Sequence, residues 1–254
     1  MLAHERRTQI LKKLNENRYV QVSDLAEEFD VTTVTIRRDL DEMEEEDLLI
    51  RKRGGAIRVN PGVSMEMPYN IKQHEMVDEK ERIAQQALKF IEDGDTIILD
   101  SGSTTYSLAL LLNSRTRLKV VTNDLKIAIK LSENPQIQLI CTGGVARTSV
   151  YSLEGSIAES FIRDIKVDKT FLSTDAVHPN GVISNVNMEE VAIKRAMIES
   201  ADQNFLLADS SKFNKSGFFK VCDLGEVDVL ITDDGLPKTA SEMIKSYEIK
   251  SFIV

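Results

Sequence analysis

Arg37 and Arg38 follow closely on a run of small residues, Thr32, Thr33, Val34 and Thr35. Guanidiniums bind phosphates and guanine edges, hydroxyls bind either, and a small apolar group fits against a thymine methyl. Four more cations crowd around Gly54-Gly55, as Arg51, Lys52, Arg53 and Arg58. Farther along, Asp100-Ser-Gly-Ser-Thr-Thr105 joins a carboxylate, several hydroxyls and a glycine. At the start of a helix, such a loop cradles an anion with hydroxyls and backbone amides, and Gly102 lets the backbone come close. Similar polar strings recur at Thr122-Asn-Asp124, Thr142-Gly-Gly144, Ser173-Thr-Asp175 and Ala208-Asp-Ser-Ser-Lys212, the last adding an ammonium. Together these groups suit a phosphorylated sugar or polyol: charge for the phosphate, acceptors for hydroxyls.

The first set needs a helix to present it. Residues 5–17 carry Ile10, Leu11 and Leu14 at helical spacing, and residues 19–22 alternate like a short strand. Ser23 reads as the N-cap of a helix carrying Leu25, Ala26 and Phe29. After a turn at Asp30-Val31, Thr32 reads as the N-cap of a second helix. There Ile36, Leu40 and Met43 fall at i, i+4 and i+7, on one face. At about 100° per residue, Val34 and Arg38 lie opposite that face, with Thr35 and Arg37 on its flanks. A helix-turn-helix offers the amino-terminal half of its second helix to the major groove in this way. Leu48–Ile50 and Ala56–Val59 then read as two strands of a basic hairpin, a wing able to rest on phosphates.

An isolated Arg pair is usually a solvated helix face. Here cap, turn, apolar stripe and basic hairpin follow in order, which predicts an α+β winged helix that binds operator DNA. Ser23, Thr32, Thr33, Val34, Thr35, Arg37, Arg38, Arg51, Lys52 and Arg53 are its candidate contacts.

Overall charge argues the other way, at −9. Residues 1–58 hold 11 Lys+Arg against 13 Asp+Glu, or 11 − 13 = −2. Seven of those acids sit in residues 39–47, toward the far end of the second helix, and the wing is basic. The charge is therefore segregated rather than uniformly hostile to nucleic acid.

The second set of residues needs a sheet edge. Strand-like runs at 96–100, 118–122, 137–143, 169–174, 205–209 and 229–233 alternate with helical stretches at 79–92, 104–113, 124–132, 153–164, 189–201 and 238–247. That alternation predicts an α/β domain with a mainly parallel, Rossmann-like sheet. Ligands of such sheets bind beyond the carboxyl ends of the strands, where the polar strings lie. Between the domains, Asn60-Pro-Gly62 and Pro68 break periodicity. The expected division is a winged helix at 1–58, a linker at 59–74 and an α/β domain at 75–254.

Taken singly, these residues have blander readings. Asp209 and Asp233 end strands, Lys194-Arg195 reads as a solvated helix face, His178 as a loop residue and Cys141 as core. Their convergence on one edge is what favours a site.

Several classes are disfavoured. Cys141 and Cys222 make no disulfide framework or cysteine-rich zinc site, and His4, His74 and His178 are far apart, so no metal is expected. No glycine loop carries Gly-Lys-Ser/Thr and no Gly-x-Gly-x-x-Gly occurs, so no nucleotide cofactor is expected. The longest apolar run, Leu108–Leu112, is five residues, and the amino terminus lacks a signal-peptide block. A soluble, cytoplasmic protein without membrane contact is expected.

Residues 5–57, with VSDLAEEFDVTTVTIRRDL and LLIRKRGGAI, resemble the amino-terminal winged helix of DeoR-family bacterial transcription regulators. Asp30 and Asp47 stand where that family often has glycine, and Arg53 where histidine is usual. Residues 75–245 resemble the family's sensor domain through LDSGSTT, VVTND, TGG, KRAMI and ADSSK. The resemblance implies a fold like ribose-5-phosphate isomerase and a sugar-phosphate ligand. It puts phosphate at Gly102–Thr105 and matches Asp175, Glu190 and Lys212 to active-site positions of the isomerase. The full effector set is Asp100, Ser101, Gly102, Ser103, Thr104, Thr105, Thr122, Asn123, Asp124, Gly143, Gly144, Asp175, Glu190, Lys194 and Lys212. Ser173-Thr-Asp175 departs from the family, which usually has small residues before the aspartate.

The leading expectation is a non-enzymatic, metabolite-responsive repressor acting as a homodimer or homotetramer. An isomerase with an accessory DNA-binding domain is the main rival, since Asp175, Glu190 and Lys212 could support proton transfer beside a carbonyl. A structural adaptor is the third reading.

Overall fold

The computed structural model describes residues 2–17, 19–46, 48–58, 69–148 and 150–254. Asp47, Val59 and the expected breaks at Asn60-Pro-Gly62 and Pro68 lie outside them. The described residues fall into two compact units, one running to Glu75 and the other starting at Met76.

The first unit contains α1 (Ala3–Asn17), β1 (Tyr19–Gln21), α2 (Val22–Glu28), α3 (Thr33–Glu45), β2 (Leu49–Lys52), β3 (Gly55–Arg58) and α4 (Tyr69–Lys72). Ile10, Leu14, Leu25, Ile36, Leu40 and Met43 form its core, so the stripe on α3 points inward as its spacing predicts. Thr32 caps α3 by accepting from the Thr35 amide at 3.2 Å. Ser23 is not a cap: α2 starts one residue earlier behind Gln21, and the Ser23 hydroxyl donates to Asp24 instead. Asp30 takes the left-handed turn at φ +51°, a conformation aspartate tolerates better than most residues.

The three strands are antiparallel in the order β1-β3-β2. Arg53-Gly54 makes the tight turn, with Gly54 at φ +84°. Gly55 is required for another reason: a Cβ there would lie 2.0 Å from the Val20 carbonyl oxygen of the paired strand. Residues 69–74, expected as linker, are partly helical. Ile71 of α4 is buried in the core of this unit, which gives the segment a fixed place.

The second unit contains α5 (Val77–Leu88), β4 (Thr96–Leu99), α6 (Ser103–Leu111), β5 (Leu118–Thr122), α7 (Leu125–Ser132), β6 (Ile137–Cys141), β7 (Val145–Ala146), β8 (Leu153–Glu154) and α8 (Ser156–Arg163). It continues with β9 (Val167–Leu172), β10 (Ala176–Val177), β11 (Val182–Asn185), α9 (Met188–Ser200), β12 (Ala201–Leu207), β13 (Phe219–Asp223), β14 (Val229–Thr232), α10 (Lys238–Ser246) and β15 (Lys250–Ile253). Seven strands form one parallel sheet, ordered β15-β14-β12-β9-β4-β5-β6.

Apolar layers cover both faces. One includes Ala158, Ile162, Ile193, Met197 and Ile244 from α8, α9 and α10. The other includes Ile83, Ala87, Leu108, Leu112, Ile127 and Leu131 on the opposite side. The chain builds β4, β5 and β6 outward in one direction, then returns to lay β9 on the other side of β4. In open parallel sheets such a reversal, here between β4 and β9, marks where ligands bind at the carboxyl ends of the strands.

Some expectations fail locally. Leu153 and Glu154 are strand, not helix, because they pair with Val145 and Ala146, and Gly155 at φ +92° starts α8 afterwards. Cys141 is exposed, not core, since it ends the edge strand β6. The β10-β11-β13 sheet and β15 have no counterpart in the expected elements.

Candidate functional site

On α3, Thr32, Thr33, Val34, Arg37 and Arg38 are exposed and Thr35 is half-buried. Four of the acids that crowd this helix have partners, Asp39, Asp41, Glu42 and Glu44. Asp39, buried, accepts from Arg6 of α1, also buried; its second oxygen takes Arg6 Nη2 at 3.1 Å. Glu42 pairs with Arg7 and with Arg38, and these two hydrogen bonds hold its carboxyl below the usual range. Arg51 donates through Nε to Asp41 at 2.9 Å and through its backbone amide to Glu44 at 2.7 Å. Arg51 therefore ties β2 to α3, and Lys52 and Arg53 are the exposed cations of the wing. Ser23 is exposed on α2.

The second constellation is at the carboxyl edge of the parallel sheet. Lys194, on α9, reaches Asp100 at the end of β4 in a pair with no solvent exposure to speak of. Its Nζ also donates to the Ser173 carbonyl at 3.1 Å. Burial opposes the ammonium, but Asp100, with Glu190 and Asp175 nearby, more than offsets that, and the Lys194 pKa is raised. Ser173 donates to Asp100 Oδ2 through both its amide, 2.8 Å, and its hydroxyl, 2.9 Å. This contact also explains Gly102: a Cβ there would lie 2.6 Å from Ser173 Oγ.

Next to this pair, the Ser101 amide donates to Asn123 Oδ1 at 2.9 Å, and its hydroxyl to Asp124 Oδ2 at 2.8 Å. Asp124 caps α7 through the Lys126 and Ile127 amides. Burial nevertheless raises its pKa. The hydroxyls of Thr105 and Thr122 donate to backbone carbonyls, of Asp100 and Leu99 respectively, at 2.7 Å, so they brace the loop. Ser103 and Thr104 open α6, which no side chain caps, so its first amides are open to an anion. Asp100 Oδ1 and Asn123 Nδ2 are buried without a hydrogen-bond partner among the described residues.

The other candidates line the same edge, with Glu190 and Asp175 close enough to Lys194 to favour its charged form. Glu190 accepts from Asn185 at 2.9 Å, and Asp175 accepts from the Val186 amide at 3.3 Å. Lys212 is half-buried after β12, beside buried Asp209. Burial pushes the Asp209 carboxyl up, but Lys212 and Lys80 outweigh it and hold it low. Gly143 and Gly144 turn at φ +72° and +115°, and Gly144 abuts the Glu154 carbonyl.

Lys80 and the buried Glu154, which accepts from Arg147 at 3.1 Å and Ser152 at 3.0 Å, were not among the expected residues, and Ser173 was expected only as part of a polar strand end and not in the effector set. Lys80 had a signal: it occupies the apolar register of α5 with Ile83, Ala84 and Ala87. Lys194 likewise shares the buried face of α9 with Glu190 and Met197.

An open groove of about 510 Å³ lies at the opposite end of the sheet, lined by Arg117, Lys119, Gln136 and Gln138 among others. These polar side chains are all exposed, so it lacks the buried polar groups of the carboxyl edge. Among the described residues, no cluster of three or more His, Cys, Asp or Glu could hold a metal, and no helix is long and apolar enough to cross a membrane.

Comparison with known proteins adds three findings. Residues 6–61 match the DeoR-like helix-turn-helix domain, and residues 75–234 the DeoR C terminal sensor domain. The HTH-type transcriptional regulator YulB of Bacillus subtilis (strain 168) is 36% identical over 98% of this chain and 96% of its own. The glycerol-3-phosphate regulon repressor of Escherichia coli (strain K12) is 30% identical over 97% of each chain. Among solved structures, a D-ribose-5-phosphate isomerase in complex with phospho-erythronic acid shares 20% identity over 54% of each chain. Its TM-score with this chain is 0.41.

Proposed function

This chain belongs to the DeoR family of DNA-binding transcriptional regulators, and from that premise we propose that it represses a sugar or polyol operon under control of a phosphorylated sugar or polyol. The amino-terminal half of α3 enters the major groove, with Thr33, Val34, Thr35, Arg37 and Arg38 toward the bases. Lys52 and Arg53 of the wing meet phosphates. Two copies of the chain place two such readers on operator half-sites.

One observation carries the effector half of the proposal. At the switch point between β4 and β9, the uncapped start of α6 adjoins a buried cluster holding two unpartnered polar atoms, Asp100 Oδ1 and Asn123 Nδ2. Unpaired buried polar groups are costly, and a ligand that supplies their partners binds well. Phosphate at the α6 amides, with hydroxyls toward Asp100, Asn123 and Asp175, meets that need. Lys212 adds charge from the β12 side. The printed name of the Escherichia coli relative, a glycerol-3-phosphate regulon repressor, fits a small phosphate ester.

Effector and operator are coupled, so each changes the affinity of the other by the same factor. Calorimetric titration with a panel of phosphorylated sugars and polyols tests this. Saturable binding is expected, blunted in Thr104→Ala and Lys212→Ala while duplex binding persists. Silence across the panel would remove the effector reading, and turnover of a pentose or hexose phosphate would revive the isomerase.

A further inference from the structure

Arg38 is an exposed arginine that is not loose. Its side chain is 82% exposed, yet its Nε donates to Glu42 Oε1 at 2.9 Å. The other oxygen of that carboxylate is held by Nη2 of Arg7, from α1. Arg7 also faces Asp39, its Nε 3.5 Å from Asp39 Oδ1 as an ion pair without a hydrogen bond, and Asp39 is gripped by buried Arg6. Alternating charges thus run from the interior to the helix surface: Arg6, Asp39, Arg7, Glu42, Arg38.

An ordinary i,i+4 pair on a helix surface is weak and fluctuating. This one differs because a third residue from another helix clamps the acid. With Nε taken, Nη1 and Nη2 are the donors of Arg38 left to face outward. That end-on pair matches O6 and N7 of guanine in the major groove. An arginine already held in its reading rotamer also loses less freedom on binding.

Resting on the reading of α3 as the major-groove helix, we infer that Glu42, clamped by Arg7, holds Arg38 end-on and makes it a guanine reader. Glu42 and Arg7 are positioning residues that need not touch DNA themselves.

The test is selection by the full chain from a randomised duplex pool, followed by competition between the selected duplex and its single-position variants. The unaltered chain should enrich a guanine at one fixed position per half-site, and Arg38→Ala should erase that preference. Glu42→Ala and Arg7→Met should each relax that position about tenfold and leave the others unchanged. Glu42→Gln keeps an oxygen acceptor and should recover part of the loss. In an Arg38→Ala background, Glu42→Ala should add nothing.

Equal weakening at every position, a Glu42 effect that persists without Arg38, or a position lost with Arg38 that is not guanine would each overturn the inference. Glu42→Gln, on the helix surface, keeps the test open should Arg7→Met fail to fold. If the unaltered chain enriches no sequence, the DNA reading of α3 falls and the inference with it. If it enriches one that Glu42→Ala and Glu42→Gln leave intact, only the inference falls.

Discussion

Lys194 and Asp100 meet inside the protein, 1% and 0% exposed, and join α9 to the end of the interior strand β4. Two opposite charges in such a place depend on each other, because either alone would be buried and uncompensated.

Lys194→Met should therefore destabilise the chain by about 3–5 kcal/mol, and the double replacement Lys194→Met with Asp100→Leu by less. Urea unfolding of the two variants beside the unaltered chain checks this. The pH dependence has a definite sign. The folded ammonium holds its proton beyond the usual lysine value of 10.5, so its contribution is complete below that pH and fades as pH rises through the folded value. Lys194→Met should lack that alkaline loss.

Gly102→Ala should lower stability by about 1–3 kcal/mol, the usual result of overpacking. The added methyl would collide with Ser173. Ser173→Gly in the same chain should restore thermal stability. If the double variant melts no higher than Gly102→Ala alone, the close approach is not what requires a glycine.

The wing residues should separate by role. Lys52→Ala and Arg53→Ala should each shallow the dependence of duplex affinity on salt by roughly 0.9 in the log–log slope per lost phosphate contact. Arg51→Ala should act differently, lowering stability through loss of the Asp41 and Gly55 bonds. Binding isotherms at several salt concentrations, beside melting curves, distinguish the two.

The cysteines should differ toward a thiol reagent. Burial pushes the Cys222 thiol up to about 12, so at pH 8 only about one in ten thousand is thiolate. Cys141 is exposed, although partial burial raises its pKa as well. Labelling at pH 8 should modify Cys141 in the folded chain and Cys222 only after denaturation.

Period and punctuation explain what could be read in advance. Ile36, Leu40 and Met43 repeat at helical spacing, and their side chains have to share a face whatever surrounds them. The strand runs at 96–99 and 229–232 are nearly continuous apolar stretches, as a doubly covered parallel sheet demands. Elements of two residues such as β7 and β8 carry no period, so nothing local announces them. Ser23 misled because a hydroxyl beside an acid resembles a cap, while the pairing of β1 with β3 sets the start of α2 at Val22. At the carboxyl edge, strand ends point to loops but not to the partner of each atom. The contact of Ser173 with Asp100 depends on β9 lying against β4, a tertiary fact. Lys80 and Lys194 were visible only as charges in an apolar register, a pattern that also fits a long side chain escaping to solvent.

The occupied acids of α3 have an outcome for the chain as a whole. Most of a molecule with net charge −9 is repelled by a polyanion. Arg6, Arg7 and Arg51 pair with Asp39, Glu42 and Asp41, which offsets the negative charge close to the tip that carries Arg37. On the reading of α3 proposed above, a duplex would meet attraction at this tip and the wing and resistance elsewhere. Such a protein wastes little time adsorbed on random genomic sequence, so fewer copies per cell suffice to keep a single address filled.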